Sequence, residues 1–286
     1  MEIAGMHEPN ADQAAFWNGP GGRSWTERQE AQDIILAPTA ELLLARARVE
    51  AGEEVIDIGC GCGATTIDLA KRVGSTGHVL GVDISAPMLA RARERAPLGA
   101  KLDFVLADAT AYHFEPGRAD LLCSRFGVMF FAAPVLSFAN MRRALRSGGR
   151  LAFACWREPR ANPWLILPLQ EAYKHVPRLP EMGPEDPGPF AFASEERVRR
   201  ILGDAGFSSI ALEQIDLSID LATGCGLDAA LKTALHIGPT SRALEGQPPE
   251  LQDAVAHSVR AALARFQKGD SVPLAASIWI ATATSA

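Results

Sequence analysis

The residues best suited to chemistry gather in the first third of the chain. Val55-Ile56-Asp57-Ile58 runs directly into Gly59-Cys60-Gly61-Cys62-Gly63, and helical spacing resumes from Thr65 to Val73. Alternating glycines reach backbone conformations closed to other residues and let a ligand approach bare backbone. A turn that passes a buried strand on to a helix N-terminus suits a nucleotide-like ligand at the carboxyl edge of an open α/β sheet. Further on, Asp83 ends a second apolar run, Val79-Leu80-Gly81-Val82, where a carboxylate can accept both hydroxyls of a ribose. Gly59-x-Gly61-x-x-Ala64 also satisfies a dinucleotide fingerprint. Asp57 weighs against that reading. A carboxylate two residues ahead of the first glycine suits a ligand presenting a cation better than one presenting a pyrophosphate. Its place beside the turn also predicts hydrogen bonds to the loop amides.

Taken in order, these motifs resemble the class I S-adenosylmethionine (SAM) methyltransferases. The spacing Asp57-x-Gly59-x-Gly61-x-Gly63 is similar to that family's first motif, which holds the methionine part of SAM with its positive ammonium and sulfonium groups. Leu102 to Ala107 reads as a third strand, and Asp108-Ala109 resembles the family's third motif, whose acid and following amide face the adenine. Ala119 to Arg125 reads as a fourth strand. Arg146-Ser147-Gly148-Gly149 resembles the turn before the family's fifth strand, with Ser147 where proline is usual. The likeness runs closely from Val55 to Trp156. It implies SAM as cofactor, S-adenosylhomocysteine as product, and contacts from Asp57, Gly59, Cys60, Gly61, Gly63, Asp83, Ile84, Asp108, Ala109 and Ser124.

The elements that must hold these residues read as an α/β fold. The resemblance implies a Rossmann-like, seven-stranded, mostly parallel sheet with helices on both faces. Helical stretches at Thr65–Val73, Pro87–Ala96 and Pro134–Leu145 alternate with the strands, as parallel crossovers require. Residues 1–50 read as an N-terminal helical cap and 51–286 as the SAM-binding core. Met1 to Asn10 look disordered. Ala11 to Trp17 reads as a short helix broken by Asn18 to Gly22, Ser24 as the cap of a helix through Ile35, and Thr39 to Val49 as another. Residues 157–193 form a proline-rich insertion with one helix near Trp164 to His175, read as a lid; a surface loop is the alternative. Ser194 caps a helix through Ala205. Ser208 to Leu221 and Pro273 to Thr284 read as the last two strands. Residues 223–270, with helices at Cys225–Ile237 and Pro249–Phe266, interrupt that hairpin and suggest a second cap element or an oligomer surface such as a homodimer contact.

Candidates for the methyl acceptor's side follow the fourth and fifth strands and the flanking additions: Trp17, Trp25, Arg125, Phe126, Met129, Trp156, Arg157, Trp164 and His175. The alternative for Trp17 and Trp25 is that both pack the helices onto the sheet. Arg125 suits a substrate carboxylate or phosphate, or an internal ion pair. His113 and Arg125 are the candidate catalytic side chains, His113 because imidazole can act as a base near neutral pH. Methyl transfer needs a base only if the acceptor must lose a proton, so the absence of an obvious triad is no objection. The chain has 286 residues and a net charge of −6, which argues against a nucleic-acid face. No Asn/Asp-Pro-Pro-aromatic sequence follows the fourth strand. Five cysteines in strands and turn fit reduced thiols in the cytoplasm, and Cys60-x-Cys62 lacks two further ligands for a metal. Neither a signal peptide nor a membrane span is read. A small-molecule methyltransferase is the leading reading. A nicotinamide-dependent oxidoreductase and a non-catalytic SAM-binding protein stand beside it.

Overall fold

The computed structural model describes residues 10–183 and 185–285. Its seven strands are β1 (Glu54–Ile58), β2 (His78–Asp83), β3 (Leu102–Leu106), β4 (Ala119–Arg125), β5 (Leu145–Trp156), β6 (Phe207–Asp220) and β7 (Pro273–Ser285). They form one sheet in the order β3-β2-β1-β4-β5-β7-β6. The first five run parallel, and β7 lies antiparallel between β5 and β6. Strand order reverses between β1 and β4. Loops after these two strands lead to opposite sides, which opens a crevice at their carboxyl ends. The apolar runs at β1 and β4 are buried on both faces, as a parallel strand under two helical layers must be.

Helices α1 (Ala11–Asn18), α2 (Pro20–Glu27) and α3 (Gln29–Ala47) precede β1. The order differs from the sequence expectation at two points. Pro20 opens α2, since proline suits a first helical turn, so the break shrinks to Gly19 and Ser24 lies inside the helix. The two helices expected on either side of Pro38 are one, α3. Its buried face, Ile35, Leu36, Ala40, Leu43 and Leu44, packs on β4 and β5. Each fully buried aliphatic side chain contributes roughly 1.5–3 kcal/mol, which outweighs the ~3 kcal/mol cost of an interior proline.

Helices α4 (Ala64–Val73) and α5 (Ala86–Arg95) follow β1 and β2, and α6 (Pro134–Arg142) precedes β5. α6 stops short of the expected Leu145, which already belongs to β5. The Ser147-Gly148-Gly149 turn is absorbed there as an irregularity, because pairing with β4 jumps from Ala119–Leu145 to Leu121–Arg150. Gly148 takes the positive φ of 72° that this needs. The first insertion carries α7 (Pro163–Ala172), and α8 (Glu195–Asp204) is capped by the Ser194 hydroxyl accepting from Arg197 N. Phe192 anchors the insertion's end in the core beside Phe138 and Phe153. Between β6 and β7 lie three helices rather than two: α9 (Gly226–His236), α10 (Gly238–Leu244) and α11 (Pro249–Ala264). α9, α10 and α11 all pack against α7, so the two insertions build one cap.

Candidate functional site

A cavity of about 790 Å³ opens at the crevice. One half lies over the ends of β1, β2 and β3 and is lined by Gly59, Val82, Asp83, Ile84, Asp108 and Ala109. The glycine loop is shaped by its surroundings as well as by its own freedom. Gly59, Gly61 and Gly63 all have positive φ. A Cβ on Gly59 would come within 2.6 Å of Gly127 Cα, so the backbones after β1 and β4 cross in contact. Asp83 is buried; its two carboxylate oxygens accept from Gly61 N at 2.7 Å and from Ser85 N at 2.8 Å. Burial pushes its carboxyl pKa up, against the pull of these amides.

Asp57 differs from the sequence expectation. It makes no bond to the loop amides, a role that falls to Asp83, and it does not line the cavity. One oxygen accepts from the Thr66 hydroxyl at 2.7 Å, and the other is buried without a partner. Burial raises its pKa to about 7, opposed by the Thr66 hydrogen bond and the Arg125 charge. Cys60 is buried beside it, its thiol pushed well up by burial. Ser124 is buried too and donates to Ile58 O at 2.7 Å, tying β4 to β1 instead of facing the cavity. Among the described residues no group of three metal-ligating side chains occurs.

Asp108 accepts from Thr110 N at 2.8 Å and, through both oxygens, from Asn10 Nδ2 at 2.8 and 3.0 Å. Asn10 Oδ1 accepts from Ala132 N at 2.9 Å. Asn10 ends the stretch expected to be disordered, of which residues 1–9 lie outside the described residues. Asn10 is buried, and only its position just before α1 marks it. The cap is further fastened over β2, where Trp17 O accepts from the Ser85 hydroxyl at 2.6 Å. Asn18 donates to Ile84 O at 2.9 Å and accepts from Ala86 N at 2.8 Å.

The other half of the cavity is aromatic. Phe126, Met129, Trp156 and Trp164 line it together with Trp17 and Trp25. Phe126 has φ of 66°, a left-handed conformation that costs a non-glycine residue of order 1–3 kcal/mol. Its ring stacks on Trp156 at 4.1 Å and 8°, and Trp156 meets Trp164 at 5.0 Å. Trp17 stands edge-on to Trp25 and to Phe130. The tryptophans therefore pack on one another and line the cavity at once. His113 and His175 are exposed and stand outside the cavity. Arg157 lies over the Trp279 ring and bonds Ser277, as a structural group. Arg125 lines the cavity, 3.9 Å from Asp33.

The third wall comes from the second insertion, where no motif marks a single residue. Leu235, His236 and Ile237 at the α9–α10 junction, with Arg242, complete the chamber. His236 Nδ1 lies 2.7 Å from Lys232 O. A carbonyl only accepts, so Nδ1 carries the hydrogen and Nε2 is left as an acceptor. The residue as a whole is exposed, and partial burial, helped by the charges of Arg28 and Lys232, lowers its pKa below the ordinary histidine value.

The residues present fit SAM. Asp83 lines the cavity and keeps carboxylate lone pairs beyond those used by the two amides, as two ribose hydroxyls would need, and Asp108-Ala109 flanks the space beyond it. A dinucleotide's pyrophosphate would meet the carboxyl of Asp83, which lines the cavity. Residues 55–149 match the methyltransferase-domain family model. Over 174 residues the chain is 28% identical to a ubiquinone/menaquinone biosynthesis C-methyltransferase of Erwinia tasmaniensis, across 56% of this chain and 68% of that protein. A second such enzyme, from Xanthomonas axonopodis, is 28% identical across 58% and 70%. The fold is shared with phosphoethanolamine N-methyltransferase 2 of Haemonchus contortus bound to SAM, at a TM-score of 0.59 and 17% identity. That match covers 98% of this chain, which spans 60% of the Haemonchus chain. The fold is also shared with the YcgJ protein of Bacillus subtilis, at a TM-score of 0.53 and 14% identity over 87% of this chain and 98% of that one.

Proposed function

We propose that this chain, a class I SAM-dependent methyltransferase, transfers a methyl group to a modest-sized, largely apolar molecule held between its N-terminal helices and its two insertions. The observation that carries this reading is the aromatic half-chamber of Phe126, Trp156 and Trp164, which adjoins the cofactor half at the ends of β4 and β5. SAM supplies a methyl on a sulfonium that is already a good leaving group. Asp83 takes the ribose, Asp108 and Ala109 take the adenine, and the glycine loop admits the amino-acid end. The aromatic walls fix the acceptor in line with the methyl and keep water out, from which much of the acceleration derives. Where the acceptor must lose a proton, His236 Nε2 is the group in the chamber fit to receive it. The quinone-pathway enzymes that this chain resembles support a small-molecule acceptor.

The same reading takes residues 1–50 as the cap and 51–286 as the core, with 157–193 and 223–270 as insertions. It makes nucleic acid no partner, given the net charge of −6. The contact of α10 and α11 with α7 favours a cap over a homodimer surface for the second insertion. No helix among the described residues is long and apolar enough to cross a membrane, and four buried free thiols suit the reducing cytoplasm. Two experiments test the reading. SAM and S-adenosylhomocysteine should raise the melting temperature while NAD does not; NAD binding without SAM binding would end it. Labelled SAM incubated with a metabolite extract should then mark the acceptor, identified by mass spectrometry.

A further inference from the structure

Arg125 is a largely covered cation that makes no hydrogen bond among the described residues. Its side chain, at the end of β4, is 12% exposed, and its nearest carboxylate, Asp33, stands 3.9 Å away. Arg95 and Gln29 each donate to Asp33 Oδ2 at 2.5 Å, and Oδ1, the oxygen that faces Arg125, forms an ion pair with it but lies beyond hydrogen-bond reach. A guanidinium offers five N–H donors in a fixed fork. Among the described residues none accepts a hydrogen bond from Arg125. Its nitrogens are not sealed in the interior as Arg28 Nε and Arg157 Nε are; their open side is the cavity that Arg125 lines. Burial lowers its pKa against the charges of Asp33 and Asp57. A charge taken out of water and left without a bonded partner is costly, and a planar oxyanion arriving through the cavity would relieve that cost bidentately.

The position along the sheet edge says which oxyanion. Asp108 follows β3, Asp83 ends β2, the glycine loop follows β1 and Arg125 ends β4, in the order of neighbouring strands. Strands lie about 4.8 Å apart, so Arg125 stands roughly 10 Å across the edge from Asp83. Asp57 pairs with Cys123, and Arg125, two residues on, shares that face of the sheet. SAM laid along this edge with adenine at Asp108 and ribose at Asp83 brings its amino-acid end to β4. Its one anionic group is the α-carboxylate.

We propose that Arg125 binds the α-carboxylate of SAM, so that β4 recognises the amino-acid end of the cofactor from the side facing the glycine loop. The assignment rests on the reading of this cavity as the SAM site. The same fork could serve a carboxylate on the acceptor, and the ligands below separate the two sources. Calorimetry without any acceptor compares SAM with decarboxylated SAM, which lacks that carboxylate alone, on the parent chain, Arg125→Gln and Arg125→Lys. A charge-assisted bidentate contact gives the parent a preference for SAM of ~10–100-fold. Arg125→Gln should bind both ligands within about threefold of each other, with its affinity for decarboxylated SAM near the parent's, and Arg125→Lys should keep part of the preference. A preference undiminished in Arg125→Gln overturns the proposal and makes the acceptor the owner of the fork. Equal binding of the two ligands by the parent overturns it as well and leaves the cofactor reading standing. If the parent binds neither, both readings fall. The parent comparison and Arg125→Lys keep the test decisive even if Arg125→Gln does not fold.

Discussion

Asp57→Asn separates the charge under the glycine loop from its shape. The carboxyl is buried, with one oxygen bonded to Thr66 and the other without a partner, and burial raises its pKa from 3.8 to about 7. An acid raised in this way contributes fully to stability while it is protonated in both folded and unfolded chains. As pH rises past the unfolded value, the unfolded chain ionises and the folded chain keeps its proton, so stability falls by up to ~1.4 kcal/mol per pH unit. The fall levels off once the folded group ionises near pH 7. Over this window, about three pH units wide, the loss is on the order of 4 kcal/mol. Asparagine has nearly the same volume, cannot titrate, and keeps an oxygen for the Thr66 hydroxyl. Denaturant unfolding of parent and variant, each without ligand at pH 5, 6, 7 and 8, isolates this group because the other titrations cancel. Between pH 5 and pH 8 the variant should gain about 2–3 kcal/mol relative to the parent. A difference that stays constant across this range would refute the assignment of a buried, proton-holding carboxyl at Asp57.

Three other substitutions test neighbouring parts of the site. Asp83→Ala leaves the Gly61 and Ser85 amides without their acceptor, at about 1–3 kcal/mol each. It should lower stability in denaturant and weaken S-adenosylhomocysteine binding together; a variant with parent stability would contradict the observed bonding. His236→Gln, assayed with an acceptor that must lose a proton, should remove the acid limb of the rate profile. That limb falls as pH drops through a histidine pKa set below 6.5 by burial, and its persistence would exclude His236 as the base. Replacing residues 178–187 with a short Gly/Ser linker should leave SAM binding within about tenfold, ~1.4 kcal/mol, and abolish transfer. Transfer at the parent rate would return this stretch to a surface loop. The replacement stops short of α7 because Trp164, Leu165 and Ala172 are buried, and removing them would open the core.

Strands and crossovers from Val55 to Trp156 were legible because local pattern and burial agree there: apolar runs end in an acid or a glycine turn, and the sheet does the rest. Asp57 and Asp83 stand out by spacing, yet the bonds to loop amides expected of Asp57 are made by Asp83, and Asp57 bonds Thr66. Which of two nearby carboxylates meets a loop amide depends on the path of the loop in space, and spacing does not encode it. Pro38 misled because a buried helix face outweighs a local breaker. Asn10 and His236 went unnoticed for a different reason. Each acts across 98 or more residues or from an insertion with no motif of its own, and a lone asparagine or histidine carries no periodicity to read. His113 sits close to the adenine motif in sequence but points to solvent, since a position five residues past a strand end is not bound to face its site.

The place of β7 has a consequence for how the chain is made. β6 pairs only with β7, which arrives more than fifty residues later, while β1 to β5 pair among themselves without it. During synthesis β2 and β4, which end in Asp83 and Arg125, and β3, which leads to Asp108, are all made by the time Trp156 has emerged. The α9–α10 wall hangs between β6 and β7 and finds its seat only when β7 slides in beside β5. Such long-range pairing is slow and leaves edges open meanwhile. Because β7 is the last strand to be made, the flank of β5 and the seat of the α9–α10 wall can close only after the rest of the sheet is in hand.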